Sequence, residues 1–248
     1  MAVSALGLVV LGGAWPCVAS AQTDPEDIRN EYRVTLVTTR PAADREKVVF
    51  FQYLGVVDSN DKGVTSFYYS PPGLIIKPRK WAEVWVGMFG IYSQFTSKDS
   101  SWELRPLTGA KFYVPNHAKM NIFNFTRFEY RYVNQSHAGT TTKRLRNRVG
   151  FEVPFTQARA WTPRTWYGLA DVEHFWQLDD GYLERYRVRG GIGYIISKTW
   201  RAEAIYHAEF SGDAGQPKVY KDNIFRLNIK LSLSRRGARM SIAPDIDE

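Results

Sequence analysis

Apolar and polar side chains alternate with period two through the second half of the chain, the signature of strands with one face unlike the other. In Met120–Val133, Ile122, Thr126, Phe128, Tyr130 and Tyr132 share one face, and Arg127, Glu129 and Arg131 share the other. Lys143–Phe155 repeats the scheme, with Leu145, Val149, Phe151, Val153 and Phe155 opposing Arg144, Arg146, Arg148 and Glu152. In Trp166–Leu178, Trp166, Ala170, Val172 and Trp176 oppose Asp171 and Glu173. Arg185, Arg187 and Arg189 then alternate with Tyr186 and Val188 before Gly190-Gly191-Ile192-Gly193-Tyr194. Trp200, Ala202, Ala204, Tyr206, Ala208 and Phe210 oppose Arg201, Glu203, His207 and Glu209. Phe225, Leu227, Ile229, Leu231 and Leu233 oppose Arg226, Asn228, Lys230 and Ser232.

These segments run roughly 10–14 residues, against about 9–11 needed to cross a bilayer at a tilt and about 5–6 in an ordinary soluble strand. Upstream, Ser101–Val114 keeps the pattern, with Glu103, Arg105 and Lys111 opposing Leu104, Ala110 and Phe112. Glu31–Thr39, Lys47–Val57, Val64–Ile76 and Trp81–Phe95 have the composition of strands. In the last of these Trp85, Phe89 and Ile91 oppose Val84, Val86 and Met88, so both faces are apolar and the outer one is unassigned. The tally is ten to twelve strands, an even number being the rule for bacterial single-chain barrels. Turn chemistry separates them at 58–63, 97–100, 115–119 and 179–181, with longer connections expected at 134–142, 156–165 and 211–220.

The beginning of the chain adds an export signal. An apolar run over Ala5–Leu11 leads to Ala19-Ser20-Ala21, a small-x-small cleavage site, so residues 1–21 read as a cleaved signal peptide. They contain no Lys or Arg, which a start codon further upstream would explain. Cys17, the sole cysteine, is preceded by Trp15-Pro16 and not by the small residues of a lipidation site. Residues 22–233 then form the barrel and 234–248 a tail. No stretch after Ala21 approaches the roughly 18 apolar residues of a membrane helix, so a membrane would have to be crossed by strands.

A closed sheet in hydrocarbon must be apolar outside, with Trp and Tyr near both interfaces. Trp166 and Trp176 bracket one segment, and Trp200 and Phe210 another. The expected fold is therefore an all-β, antiparallel transmembrane barrel, with its charged face inward. The expected lumen lining is Glu103, Arg105, Arg127, Glu129, Arg131, Arg144, Arg146, Arg148, Glu152, Asp171, Glu173, Arg185, Arg187, Arg189, Arg201, Glu203, His207, Glu209 and Arg226. Arginine forks pair carboxylates in bidentate fashion, so cross-strand ladders should fill the interior. The net charge of +8 does not point to nucleic acid, because the arginines alternate along strands and form no tail or patch.

Several strings occur together: ELRP at 103–106, TRFEYRY at 126–132, RLRNRVGFE at 144–152, DVEHFW at 171–176 and ERYRVRGGIGY at 184–194. In this order they resemble a bacterial family, domain of unknown function 2490, over roughly residues 80–233. The resemblance implies an outer-membrane barrel and an export route, and it brings no catalytic residues. The tail after Leu233 departs from the many outer-membrane barrels that end on an aromatic, so Phe225 or Leu233 would have to serve the assembly machinery.

Little in the sequence points to chemistry. His117 and His137 fall in turns, His174 on the lipid-facing side, and His207 on the polar face between Glu203 and Glu209. No nucleophile elbow, phosphate loop or metal-ligand spacing is present, so no cofactor, metal or catalytic residue is assigned. Three functions fit: a structural or narrow-pore barrel of the Gram-negative outer membrane, an outer-membrane enzyme acting on lipid or lipopolysaccharide, and a soluble periplasmic lipocalin-like barrel. The first is expected, without enzymatic activity. Its partners would be outer-membrane lipid, lipopolysaccharide and the barrel assembly machinery.

Overall fold

The structure is a computed structural model and describes residues 28–42, 47–59, 63–96, 99–115, 120–135, 138–156 and 162–233. The expected signal peptide, Cys17, the tail 234–248, His117 and His137 lie outside the described residues. Those described fold entirely into strands and their connections. The strands are β1 (Arg29–Pro41), β2 (Val48–Ser59), β3 (Val64–Tyr69), β4 (Gly73–Arg79), β5 (Ala82–Phe95) and β6 (Ser100–Tyr113). They continue with β7 (Asn121–Gln135), β8 (Ala138–Pro154), β9 (Thr165–Gln177), β10 (Tyr182–Ile195), β11 (Trp200–Ser211) and β12 (Val219–Ser232).

Each strand pairs antiparallel with the next around a closed wall, with one substitution: β3 and β4 together fill a single position between β2 and β5. Ser70-Pro71-Pro72 divides them, because proline has no N–H to give a ladder and is tolerated in a sheet chiefly at a bulge. The β2 side is stitched by the Ser70 N–H, which donates to Tyr53 O at 2.9 Å, while Tyr53 N–H donates to Ser70 Oγ at 3.3 Å. On the β5 side no pair is formed between Val86 and Gly90.

Twelve segments therefore make eleven wall positions. That number corrects the expectation of an even count, and it has a geometric consequence. A meander with an odd number of positions brings its last strand beside its first in the same direction, and β12 does pair with β1 in parallel, from Arg29↔Asp222 to Thr39↔Ser232. The barrel is antiparallel everywhere except at this seam.

The connections fall into two sets. One rim carries 60–63, 96–99, 136–137, 178–181 and 212–218; the other carries 42–47, 80–81, 114–120, 155–164 and 196–199. The long connection expected at 134–142 is a tight hairpin, since Val133↔Thr140, Tyr132↔Thr141 and Arg131↔Thr142 are ladder pairs. Thr140-Thr141-Thr142 is polar, like a loop, but its β-branched side chains suit a strand. Neither rim gathers all the long loops.

Side chains sort by face along every strand. Outward positions are largely apolar, as at Val34, 53% exposed, and Leu54, 54% exposed, with a small polar group at Asn124, Thr126 and Asn147. The interior divides into sectors. On β2 to β5 the inward side chains are largely apolar and aromatic: Phe51, Tyr53, Ile75, Trp85, Phe89 and Ile91 form one buried cluster that takes in Val37 of β1 and reaches Phe123 and Phe125 on β7, whereas the other inward side chains of β1 are Glu31, Arg33, Thr35 and Thr39. From β6 to β12 they are mainly charged. Long arginine and aromatic side chains fill a wall wider than the eight strands at which ordinary side chains close the interior.

Candidate functional site

The inward arginines and carboxylates arise from simple spacing: period two puts Arg127, Glu129 and Arg131, or Arg144, Arg146 and Arg148, on one face of one strand. Every residue expected to line the lumen points inward. Arg131 and Arg185 retain partial exposure, and the rest are buried.

Glu129, 0% exposed, is the hub of the largest cluster. It takes Arg127 Nε at 2.7 Å on its own strand, Arg144 Nη2 at 2.6 Å from the directly opposite position on β8, and Arg146 Nη1 at 3.1 Å. Arg146 carries the chain on to Glu173 Oε1 on β9, with Nη2 at 2.8 Å. Four guanidinium groups, of Arg144, Arg146, Arg185 and Arg187, lie over the ring of Phe175 between 4.2 and 5.6 Å from its centroid. A cation over a ring is drawn to the negative face of its quadrupole.

Smaller groups complete the lining. Arg189 grips Asp171 with two parallel bonds of 2.6 and 2.7 Å across a direct β9–β10 pair. Arg131 does the same to Glu103, at 2.6 and 3.0 Å, and Arg105 Nε adds a bond of 2.9 Å to that carboxylate. Arg187 and Arg185 meet on Glu209. Glu203 on β11 is a second hub: it accepts from Tyr167 Oη at 2.6 Å and Asn228 Nδ2 at 3.1 Å and pairs with Lys230 at 2.7 Å and Arg201 at 3.2 Å. Gly193 makes room for this arrangement, since a Cβ there would stand 2.1 Å from the Tyr167 ring. At the seam Arg226 bonds Asn228, which also meets Thr35, and reaches Tyr53 Oη at 3.1 Å. Asn121 reaches Glu152 at 3.5 Å.

Several lining residues escaped the pattern. Lys111, Lys230, Asn228, Glu31, Arg33, Glu83 and Asp222 are also buried on the inner face. The first three stood on polar faces in the sequence, so the alternation itself could have found them. The apolar sector had no such signal because both faces of β5 are apolar. The structure resolves that ambiguity: Trp85, Phe89 and Ile91 point in, and Val84, Val86 and Met88 point out.

What the lining can do follows from its packing. Among the described residues, twelve buried lysines and arginines face ten buried carboxylates, so the interior is close to self-neutralising. Arg105, Arg127, Arg144, Arg146 and Arg187 are all within the most deeply buried side chains. Little of this lining is exposed to solvent. His207 is 0% exposed and lies opposite Arg189. His174 faces outward, stacked on Trp176 at 5.4 Å. An open groove of about 500 Å³ lies on the outer surface at the seam, walled by Tyr32, Ile192, Tyr206 and Phe225 over Gly190 and Ala204.

A family model described as a protein of unknown function, DUF2490, matches residues 58–219. Comparison with curated proteins and with solved structures gives no match. The matched span contains all five sequence strings quoted above, and their charged alternating positions are the ones gathered around Glu103, Glu129, Asp171, Glu173 and Glu209.

Proposed function

This chain belongs to the DUF2490 family of proteins of unknown function, and from that premise and the polarity of its wall we propose an exported, outer-membrane β-barrel of a Gram-negative bacterium with a structural, plugged lumen. The observation that carries this reading is the inversion of faces. Large apolar side chains such as Val34, Leu54, Val149 and Ile192 are exposed, while Arg144, Glu129 and His207 are sealed inside. A lipocalin-like soluble barrel would have the opposite arrangement.

Aromatic pairs near both rims support the same reading. Trp102 packs on Tyr132 and Tyr186 stacks on Phe210 toward one rim; Trp81 stacks on Phe112 and Trp166 packs on Tyr194 toward the other. Two such belts are what a bilayer selects at its two interfaces. The self-neutralising interior favours a structural role over the narrow pore. Lipid and lipopolysaccharide would contact the wall, and the barrel assembly machinery would insert it, reading the exposed Phe225 or Leu233 at the end of the chain's last strand.

The test is a pair of measurements on the full-length protein. Unboiled samples should migrate differently from boiled ones in gel electrophoresis, and the folded form should give no step conductance in planar bilayers. Recovery in the soluble periplasmic fraction without detergent would sink the membrane reading. Conductance steps that fall when Arg146 and Arg187 are replaced would restore the pore.

A further inference from the structure

The two rims differ in charge. One rim is formed by the connections after β1, β4, β6, β8 and β10, and the opposite rim by those after β2, β5, β7, β9 and β11. Among the described residues the contrast is plain. Arg40, Lys47, Arg79, Lys80, Arg164 and Lys198 are exposed at the first rim, where no described carboxylate is exposed. At the second, Asp99, Asp179, Asp180 and Asp213 are exposed, and the one exposed cation described there, Lys143, pairs with Asp179.

A second regularity coincides with the basic rim. Each of three strands leaving it begins with a cation followed at once, or after one threonine, by an outward tryptophan: Lys80-Trp81 at β5, Arg164-Thr165-Trp166 at β9 and Lys198-Thr199-Trp200 at β11. The three indoles are 49%, 42% and 41% exposed. Arg164 holds this place with φ at +65°, the single positive φ outside glycine among the described residues. This conformation accompanies a bond from the Arg164 N–H to Ile195 O at 2.6 Å, and it places the residue at the edge of the wall directly before Thr165 and Trp166.

We propose that this rim is a seat for lipid phosphates, in which Lys80, Arg164 and Lys198 engage anionic headgroups while Trp81, Trp166 and Trp200 sit at the interface just beneath them. Tryptophan favours the headgroup level of a bilayer, and a lysine or arginine next to it extends its charge into the phosphate layer over an apolar stem. Several basic residues close to such a surface attract anionic lipid, each by about fivefold at low ionic strength, and salt screens the effect. The acidic rim lacks the charge to do this. The inference rests on the membrane reading above and adds to it an orientation: the basic rim belongs in the leaflet richer in anionic phosphate.

Tryptophan quenching by brominated lipid tests it. The full-length barrel is folded into phosphatidylcholine vesicles that contain an equal fraction of either brominated phosphatidylglycerol or brominated phosphatidylcholine. The anionic lipid should quench severalfold more than the zwitterionic one at low salt, and the excess should vanish at high salt. The K80Q/R164Q/K198Q variant, its folding checked by gel migration, should lose the excess; D179N/D180N on the other rim should keep it. Equal quenching by both lipids in the unmodified protein overturns the proposal and leaves the membrane reading standing. Loss of the excess in D179N/D180N also overturns it, because the effect would not belong to one rim. No quenching by either lipid overturns the membrane reading itself.

Discussion

At the scale of single residues, the lumen is a set of shared carboxylates, and sharing determines what a substitution does. A buried ion pair is weak support for stability, because the cost of removing both charges from water can exceed their attraction. Removing one partner is another matter. Glu129→Gln leaves Arg127, Arg144 and Arg146 buried around a neutral amide, so the folded state should lose about 3–5 kcal/mol. Asp179→Asn removes an exposed partner of Lys143 at 3.6 Å and should cost less than about 1 kcal/mol. Denaturant midpoints of the detergent-folded protein check both, and equal midpoints for the two variants would refute the hub. The hubs were legible in part: alternation placed Glu129 and Arg144 on matching faces of neighbouring strands. It could not say that Glu203 would collect Tyr167, Asn228 and Lys230, because that contact depends on Gly193 leaving space for a ring from another strand.

At the scale of elements, the later strands were readable because one face had to be apolar and the other charged, so each residue announced its side. Val64–Ile76 read as one strand because its composition is continuous, and Pro71-Pro72 was the visible sign that it is two. The break has a neighbour. Met88 lies opposite Pro106 on β6, and the β6–β7 ladder has no pair at Arg105 or Pro106. Prolines on both sides of β5 thus thin the hydrogen bonds of the wall along one line. Amides of Met88 and Phe89 should therefore exchange with deuterium faster than those of Val84–Val86 or Ile91–Ser93, as measured by exchange mass spectrometry on the folded barrel. Uniform protection along β5 would show that the ladder is restored by local adjustment.

For the whole molecule, closure itself was the part the sequence expressed least. Counting runs of alternation gives segments, and segments become wall positions only when their pairing is known; β3 and β4 share one position, which turns an even count into an odd one. The same limit applies to the connections, whose composition at 134–142 looks like a loop although the ladder holds it. The parallel seam between β1 and β12 also decides where the chain goes next. An even meander returns both of its ends to one side of a membrane. Here the start of β1 and the finish of β12 stand at opposite edges, a full strand length apart. On the membrane reading proposed above, fusions placed at these two points would reside in different compartments, so each would be open to an added protease from a different face. A circular permutant with a short linker is ruled out by the same distance.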